Sequence, residues 1–206
     1  MAPKKRIIIY GGTFSPPHIG HINVANEIAK VENPDKLLII PTWISPHKEN
    51  DHIVDAHHRL EMCRLAFSGI QCAEISDIEI ARQGKSYTYL TLSELQKDDV
   101  ELFFVCGTDM ILSFDRWYRF RDIFNMATII YVRRECDAEI SVEIERKIKE
   151  YVDLHEARVR ELKIDVIEIS SSELRKKLSE SLDVEQYISP SVKKYIDEWN
   201  LYKHEG

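Results

Sequence analysis

The sequence predicts a single α/β domain with a mostly parallel sheet and helices on both faces, on three observations. Short β-branched runs recur along the chain, helical patterns fall between them, and several of the runs stop at glycine. Alternation of this kind implies parallel strands joined by helical crossovers that cover both faces of the sheet.

Lys5 to Tyr10 (KRIIIY) stops at Gly11-Gly12 and reads as a buried strand. A helix is expected from about His18 to Lys30, where Ile19, Ile22, Ala25, Ile28 and Ala29 keep helical spacing, and Asn33-Pro34 ends it. Lys36 to Ile40 (KLLII) is a second strand. After a loop from Pro41 to Asp51 comes a helix with Asp55 as N-cap and Gly69 as C-cap. A strand pair is expected near Ala73 to Ala81, a helix near Thr88 to Gln96, and a strand from Glu101 to Cys106 ending at Gly107. Ala127 to Val132 and Lys163 to Ile169 also read as strands. The charged stretch from Glu139 to Glu161, with Ile144, Ile148 and Tyr151 or Val152 at helical intervals, reads as a solvated helix inserted near 137–160 before the last strand. No repeat, low-complexity tract or linker divides residues 1–206, so one domain is expected.

With 206 residues, 44% hydrophobic and 31% charged, the chain can bury its own core. No run approaches the roughly twenty apolar residues of a membrane span, so a cytoplasmic location away from membranes is expected. Cys63, Cys72, Cys106 and Cys136 form no CxxC pair and read as reduced packing residues. A net charge of −7 argues against a general nucleic-acid surface, so any phosphate must be held locally. A homo-oligomer is allowed but not indicated.

The stretch from Gly11 to His21 (GGTFSPPHIGH) lies where the first strand meets the first helix, the edge at which open α/β sheets bind ligands. Gly11 and Gly12 let backbone N–H groups approach a phosphate, and the helix offers its positive end to the same anion. His18 and His21, three residues apart, share a helix face and can donate to phosphate oxygens as charge builds on a transferring group. Each piece alone has an ordinary explanation as a turn or a solvated histidine. The paired histidines could also suggest metal ligands, but no third ligand stands at a recognisable interval. Near the other end, Ile169 to Arg175 (ISSSELR) reads as a strand end whose serines cap a helix and donate to phosphate, with Arg175 on its first turn.

These two segments resemble the GGTFDPxHxGH and ISSTxIR motifs of the nucleotidyltransferase superfamily, departing in the first at Ser15, where aspartate is usual. Pro46-His47-Lys48, Gly84 to Thr88, Gly107 to Met110, Trp117-Tyr118, Val132-Arg133-Arg134 and Tyr187 to Pro190 resemble, in order, segments of the bacterial nicotinate mononucleotide adenylyltransferases. The resemblance covers about the whole chain; it departs also at Lys85, where proline is common, and in the charged segment.

The resemblance implies a Rossmann-like domain that transfers the adenylyl group of ATP to nicotinate mononucleotide, giving deamido-NAD and pyrophosphate. It implies that Gly11, Gly12, Thr13, Phe14, His18 and His21 face the ATP phosphates, with His18 and His21 catalytic. Ser171, Ser172 and Arg175 would hold the far side of the phosphates, and Gly107 and Asp109 would contact the nucleoside. Tyr87, Thr88 and Trp117 would surround the pyridine, and Lys48 and Arg133 would meet the mononucleotide phosphate. Mg²⁺ is expected on the ATP phosphates rather than on a protein site. The acid is expected to be preferred over the amide, met by backbone N–H groups near Tyr87 and Thr88. Ser15 would remove a negative charge beside the triphosphate path. Alternatives are another acceptor, nicotinamide mononucleotide or phosphopantetheine, and a nucleotide-binding sensor without catalysis.

Overall fold

The computed structural model describes residues 3–45, 53–133, 138–165, 167 and 169–203. The chain begins β1 (Lys5–Gly12), α1 (Ile19–Glu32), β2 (Lys36–Pro41), α2 (Ala56–Phe67) and β3 (Ala73–Ile75). It continues α3 (Ile78–Arg82), α4 (Thr88–Leu95), β4 (Val100–Gly107), α5 (Thr108–Leu112), a 3₁₀ turn at Phe114–Arg116, α6 (Phe120–Met126) and β5 (Ala127–Val132). It closes with α7 (Ala138–His155), β6 (Val159–Leu162), α8 (Ser171–Ser179) and α9 (Pro190–Glu198).

Among the described residues, six strands form one parallel sheet in the order β3-β2-β1-β4-β5-β6. The direction of winding reverses between β1 and β4, which opens a crevice beyond their carboxyl ends. Because neighbouring strand residues face opposite ways, Ile8 joins one core with Val24, Ile28, Phe67 and Leu178, while Ile9 joins the other with Phe104, Ile111, Phe124 and Tyr151. Helices thus seal both faces, as the unbroken apolar runs of β1 and β4 require. Among the described residues, no helix is long and apolar enough to cross a membrane.

β1, β2, β4 and β5 lie where their apolar runs place them. Asp55 caps α2 by accepting from the His57 N–H at 2.8 Å, and Asn33 ends α1 in the left-handed conformation. Four expectations need correction. The helix expected to end at Gly69 stops at Ser68, in ordinary right-handed geometry. The second half of the pair expected near Ala73 to Ala81 is α3, whose Ile80 packs with Ala56 and Leu60 of α2. Among the described residues the last strand is β6, upstream of Lys163 to Ile169, a stretch of which residues 166 and 168 lie outside the described residues; Ile167 and Ile169 line the crevice. Finally, α7 is not simply solvated. Ile144 and Tyr151 are buried, and the Tyr151 hydroxyl donates to the Ile111 carbonyl at 3.1 Å, tying α7 to α5 at the edge of the crevice.

Candidate active site

The crevice holds a cleft of about 640 Å³ lined by Gly11, Gly12, Thr13, Phe14, His18 and His21 on one side and Ser170, Ser171, Ser172 and Arg175 on the other. The β1 loop is built from below by Phe14. Its buried ring packs edge-on against Tyr10, His21 and Phe67, and a Cβ on Gly12 would lie 2.9 Å from its Cζ. Glycine at 12 is therefore a steric requirement, and Phe14 shapes the loop more than it offers a ligand surface.

His18 is the N-cap of α1, and its N–H donates to His21 Nδ1 at 3.3 Å. The two rings lie 3.7 Å apart between centroids, tilted by 30°. With Nδ1 an acceptor, a neutral His21 carries its proton on Nε2. Gly20 between them is crowded: a Cβ there would lie 3.0 Å from both His18 Nδ1 and the Ile167 carbonyl. Gly20→Ala is expected to displace the His18 ring or the segment over the cleft and to cut turnover by up to about a hundredfold, the scale of a misplaced catalytic group. Steady-state rates against the wild type check this; an unchanged rate would mean the ring's position is immaterial.

The second motif is fastened to the first. Ser171 Oγ donates to the Pro16 carbonyl at 3.1 Å, and Arg175 donates to the Ser15 carbonyl at 3.0 Å and to Ser172 Oγ at 3.2 Å. Ser170 caps α8 by accepting from the Glu173 N–H. Ser15, expected beside the triphosphate path, is instead fully buried behind the loop, where its Oγ shares a 3.0 Å hydrogen bond with the Tyr202 hydroxyl. A serine at 15 therefore bears on how the loop is anchored and takes no charge from the cleft.

A second, narrower cavity of about 70 Å³ adjoins the first through Gly11, Gly12, Thr13 and Met110, which line both. Trp117 and Thr88 line it together with Thr42, Glu79, Ser86 and Thr91. Trp117 is mostly buried, stacked on Phe114 at 4.5 Å and edge-on to Phe104 at 5.9 Å. Other expected residues are placed elsewhere. Gly107 lines the large cleft, but Asp109 is exposed on the first turn of α5 and lines neither cavity. Tyr87 packs on Tyr118 at 4.8 Å outside the slot, and its N–H is engaged by the Lys85 carbonyl. Arg133 pairs with Glu161 at 3.1 Å beyond both cavities. Lys48 lies outside the described residues.

Arg59 was not legible as a site residue. It is 2% exposed and donates to the carbonyls of Val54, Thr13 and Trp43 at 3.1, 2.9 and 3.2 Å, joining the loops after β1 and β2 to the start of α2. Burial lowers its pKa, although a guanidinium stays protonated even so. Its position on the stripe of Ala56, Leu60, Cys63 and Phe67 is the signal that could have found it, because an arginine on a core face needs buried acceptors. Burial pushes the Cys63 thiol up against the opposing pull of the Arg59 charge, in keeping with a packing role.

The sequence matches the cytidylyltransferase-like family over residues 9–177. It is 31% identical over 206 residues to the probable nicotinate-nucleotide adenylyltransferase of Staphylococcus haemolyticus, covering 99% of this chain and 100% of that one. It is 35% identical over 202 residues to the same-named protein of Clostridium botulinum, covering 98% and 100%. Its fold is similar to that of Plasmodium falciparum nicotinic acid mononucleotide adenylyltransferase complexed with APC, with a TM-score of 0.73 at 22% identity over 96% of this chain and 97% of that one. The same protein complexed with NaAD matches equally. The chain belongs to the cytidylyltransferase-like family and, within it, to the nicotinate-nucleotide adenylyltransferases.

Proposed function

We propose that the protein transfers the adenylyl group of ATP to nicotinate mononucleotide, giving deamido-NAD and pyrophosphate. The observation that carries this is the junction of the two cavities at Gly11-Gly12-Thr13, where a large cleft between the two motifs meets a slot walled by Trp117. A dinucleotide product fits such a pair, with adenylate on one side, pyridine on the other and the new phosphoanhydride at the glycines. The names of the relatives and the NaAD complex of the structural neighbour support the same reading.

In this mechanism a phosphate oxygen of the mononucleotide attacks the α-phosphorus of ATP in line. The new P–O bond forms as the bond to the bridging α,β-oxygen breaks, and pyrophosphate leaves with that electron pair. The attacking oxygen is already an anion, so no general base is required; positioning and charge stabilisation supply the catalysis. His21 Nε2 and the His18 ring at the start of α1, together with the positive end of that helix, face the charge that builds up. Arg175 and the serines of α8 hold the nucleotide from the opposite wall.

Mg²⁺ belongs to the proposal as a partner of the ATP oxygens, the setting a hard, strongly hydrated cation favours. Among the described residues, no group of three His, Cys, Asp or Glu could hold it. A cytoplasmic location is part of the same reading.

The test is pyrophosphate release with ATP, Mg²⁺ and each pyridine mononucleotide in turn. Release dependent on nicotinate mononucleotide is expected; no release with any pyridine acceptor, or faster release with phosphopantetheine, would overturn the assignment.

A further inference from the structure

The charged helix α7 reaches toward the slot through one tyrosine. Tyr151 is fully buried, and its hydroxyl bridges two backbone groups: it donates to the Ile111 carbonyl at 3.1 Å and accepts from the Asp115 N–H at 3.3 Å. Ile111 lies near the end of α5 and Asp115 in the 3₁₀ turn that follows, positions where helical segments run out of backbone partners of their own. One turn earlier on α7, Lys147 donates to the Asp115 carboxylate at 2.7 Å, with its side chain only 15% exposed. Two side chains four residues apart, on one face of α7, thus grip the same turn by its backbone and by its side chain.

That turn leads directly into Trp117, whose N–H donates to the Phe114 carbonyl at 3.0 Å. A row of rings follows the same path. Tyr151 packs on Phe124 of α6 at 5.2 Å, Phe124 stacks on Phe114 at 5.1 Å, and Phe114 stacks on Trp117 at 4.5 Å. All four side chains are buried, so the row passes a displacement along instead of absorbing it, as close-packed interiors do. A phenylalanine at 151 would fill the row equally well. What the hydroxyl adds is a fixed relation between α7, the end of α5 and the turn, because a satisfied buried polar network admits one arrangement. Burial raises the Tyr151 pKa, so the hydroxyl keeps the proton that it donates.

We propose that Tyr151 and Lys147 of α7 are positioning residues for the acceptor nucleotide, acting through the turn that carries Trp117. This rests on the slot walled by Trp117 being the pyridine site of the proposed adenylyl transfer. Neither Tyr151 nor Lys147 lines either cavity, so their influence on a ligand passes through the turn. The loop after β1 and the start of α8, which face each other across the large cleft, are instead tied to one another through Ser15, Pro16, Ser171 and Arg175. The grip of α7 therefore bears on the mononucleotide and leaves ATP to the other set of ties. The charged stretch near 137–160 thereby gains a part in the site without touching a ligand.

The experiment is steady-state kinetics of pyrophosphate release, with the KM for nicotinate mononucleotide and the KM for ATP each measured at saturation of the other substrate. The wild type is set beside Tyr151→Phe, Lys147→Met, Asp115→Asn and the double variant of the last two. Tyr151→Phe keeps the ring in its row and removes only the bridge. It is expected to raise the KM for the mononucleotide about tenfold, inside the hundredfold that a misplacement of about 1 Å can cost, and to leave the KM for ATP within about twofold. Lys147→Met and Asp115→Asn are each expected to raise the mononucleotide KM about twofold to fivefold, the scale of one partly exposed ion pair, and the double variant no further than either alone. A merely structural contact behaves otherwise, since loss of folded enzyme lowers the apparent kcat and leaves both KM values where they were. An unchanged mononucleotide KM in Tyr151→Phe or in Lys147→Met, a matching rise in the KM for ATP, or additive effects of Lys147→Met and Asp115→Asn overturns the assignment and leaves adenylyl transfer standing. The ion-pair variants decide the matter even if Tyr151→Phe does not fold, because a partly exposed pair costs little stability. A wild type that releases no pyrophosphate with any pyridine mononucleotide would instead remove the adenylyl-transfer reading, and this role of α7 with it.

Discussion

Replacing His21 by alanine is expected to lower turnover by on the order of a hundredfold to a thousandfold while leaving the fold nearly as stable as before. That is the usual cost of removing one preorganised donor from a site where negative charge develops. The geometry makes His21 the cleaner of the two histidines to test. Its Nδ1 is occupied by the His18 N–H at 3.3 Å, a long bond whose loss costs little, and its ring is held against Phe14 at 5.0 Å. The stability change should stay within about 1 kcal/mol, the scale of a helix-cap contact. His18→Ala should lose both activity and stability, because the His18 ring is buried where the helix begins. Initial rates of pyrophosphate release, set beside urea midpoints for the same samples, separate the two effects. A folded His21→Ala enzyme that turns over at near-normal rate would rule out a catalytic His21.

Arg59→Met should give the largest loss of stability of any single change considered. The substitution leaves the carbonyls of Val54, Thr13 and Trp43 without the donor that Arg59 supplies from its buried position, and each orphaned acceptor costs about 1–3 kcal/mol. A total of about 3 kcal/mol or more is expected, a large share of a typical domain's stability. Arg59→Lys should recover little of it, because a single ammonium cannot reproduce a planar fork aimed at three loops. Since Thr13 lines both cavities, any Arg59 variant that still folds should also show a raised KM for ATP. Equilibrium unfolding in urea measures the first effect and saturation kinetics the second. A stability within about 1 kcal/mol of the wild type would show that the three carbonyls find other partners.

Much of this site could be read from local sequence, and what could not has a common physical cause. β-branched runs such as Ile7 to Tyr10 and Ala127 to Val132 become buried parallel strands because they suit little else, and the first motif announced its loop through glycine and histidine spacing. The misreadings concern residues whose partners lie far along the chain. The alternation in Lys163 to Ile169 suits a strand, yet Val159–Leu162 takes the pairing with β5 and leaves Ile167 and Ile169 to wall the cleft. Ser15 sits in a motif that suggests phosphate contact, but its side chain turns back to a tyrosine near the end of the chain. Glu79 and Thr91 meet only after α3 and α4 fold together. Spacing along a strand or helix reveals which face a residue occupies, and only packing decides what stands opposite.

The hydrogen bonds that fasten the β1 loop also set an order in time. Ser15 meets Tyr202 across 187 positions, and the ties from Arg175 to Ser15 and from Ser171 to Pro16 span 160 and 155. On a ribosome adding about 5–20 residues per second, the last of these contacts becomes available roughly 10 to 40 s after the loop itself has been made. Through that interval the nascent chain already carries Gly11, Gly12 and both histidines but lacks the struts that hold them in register. Competence to hold a triphosphate therefore arrives with the final helices.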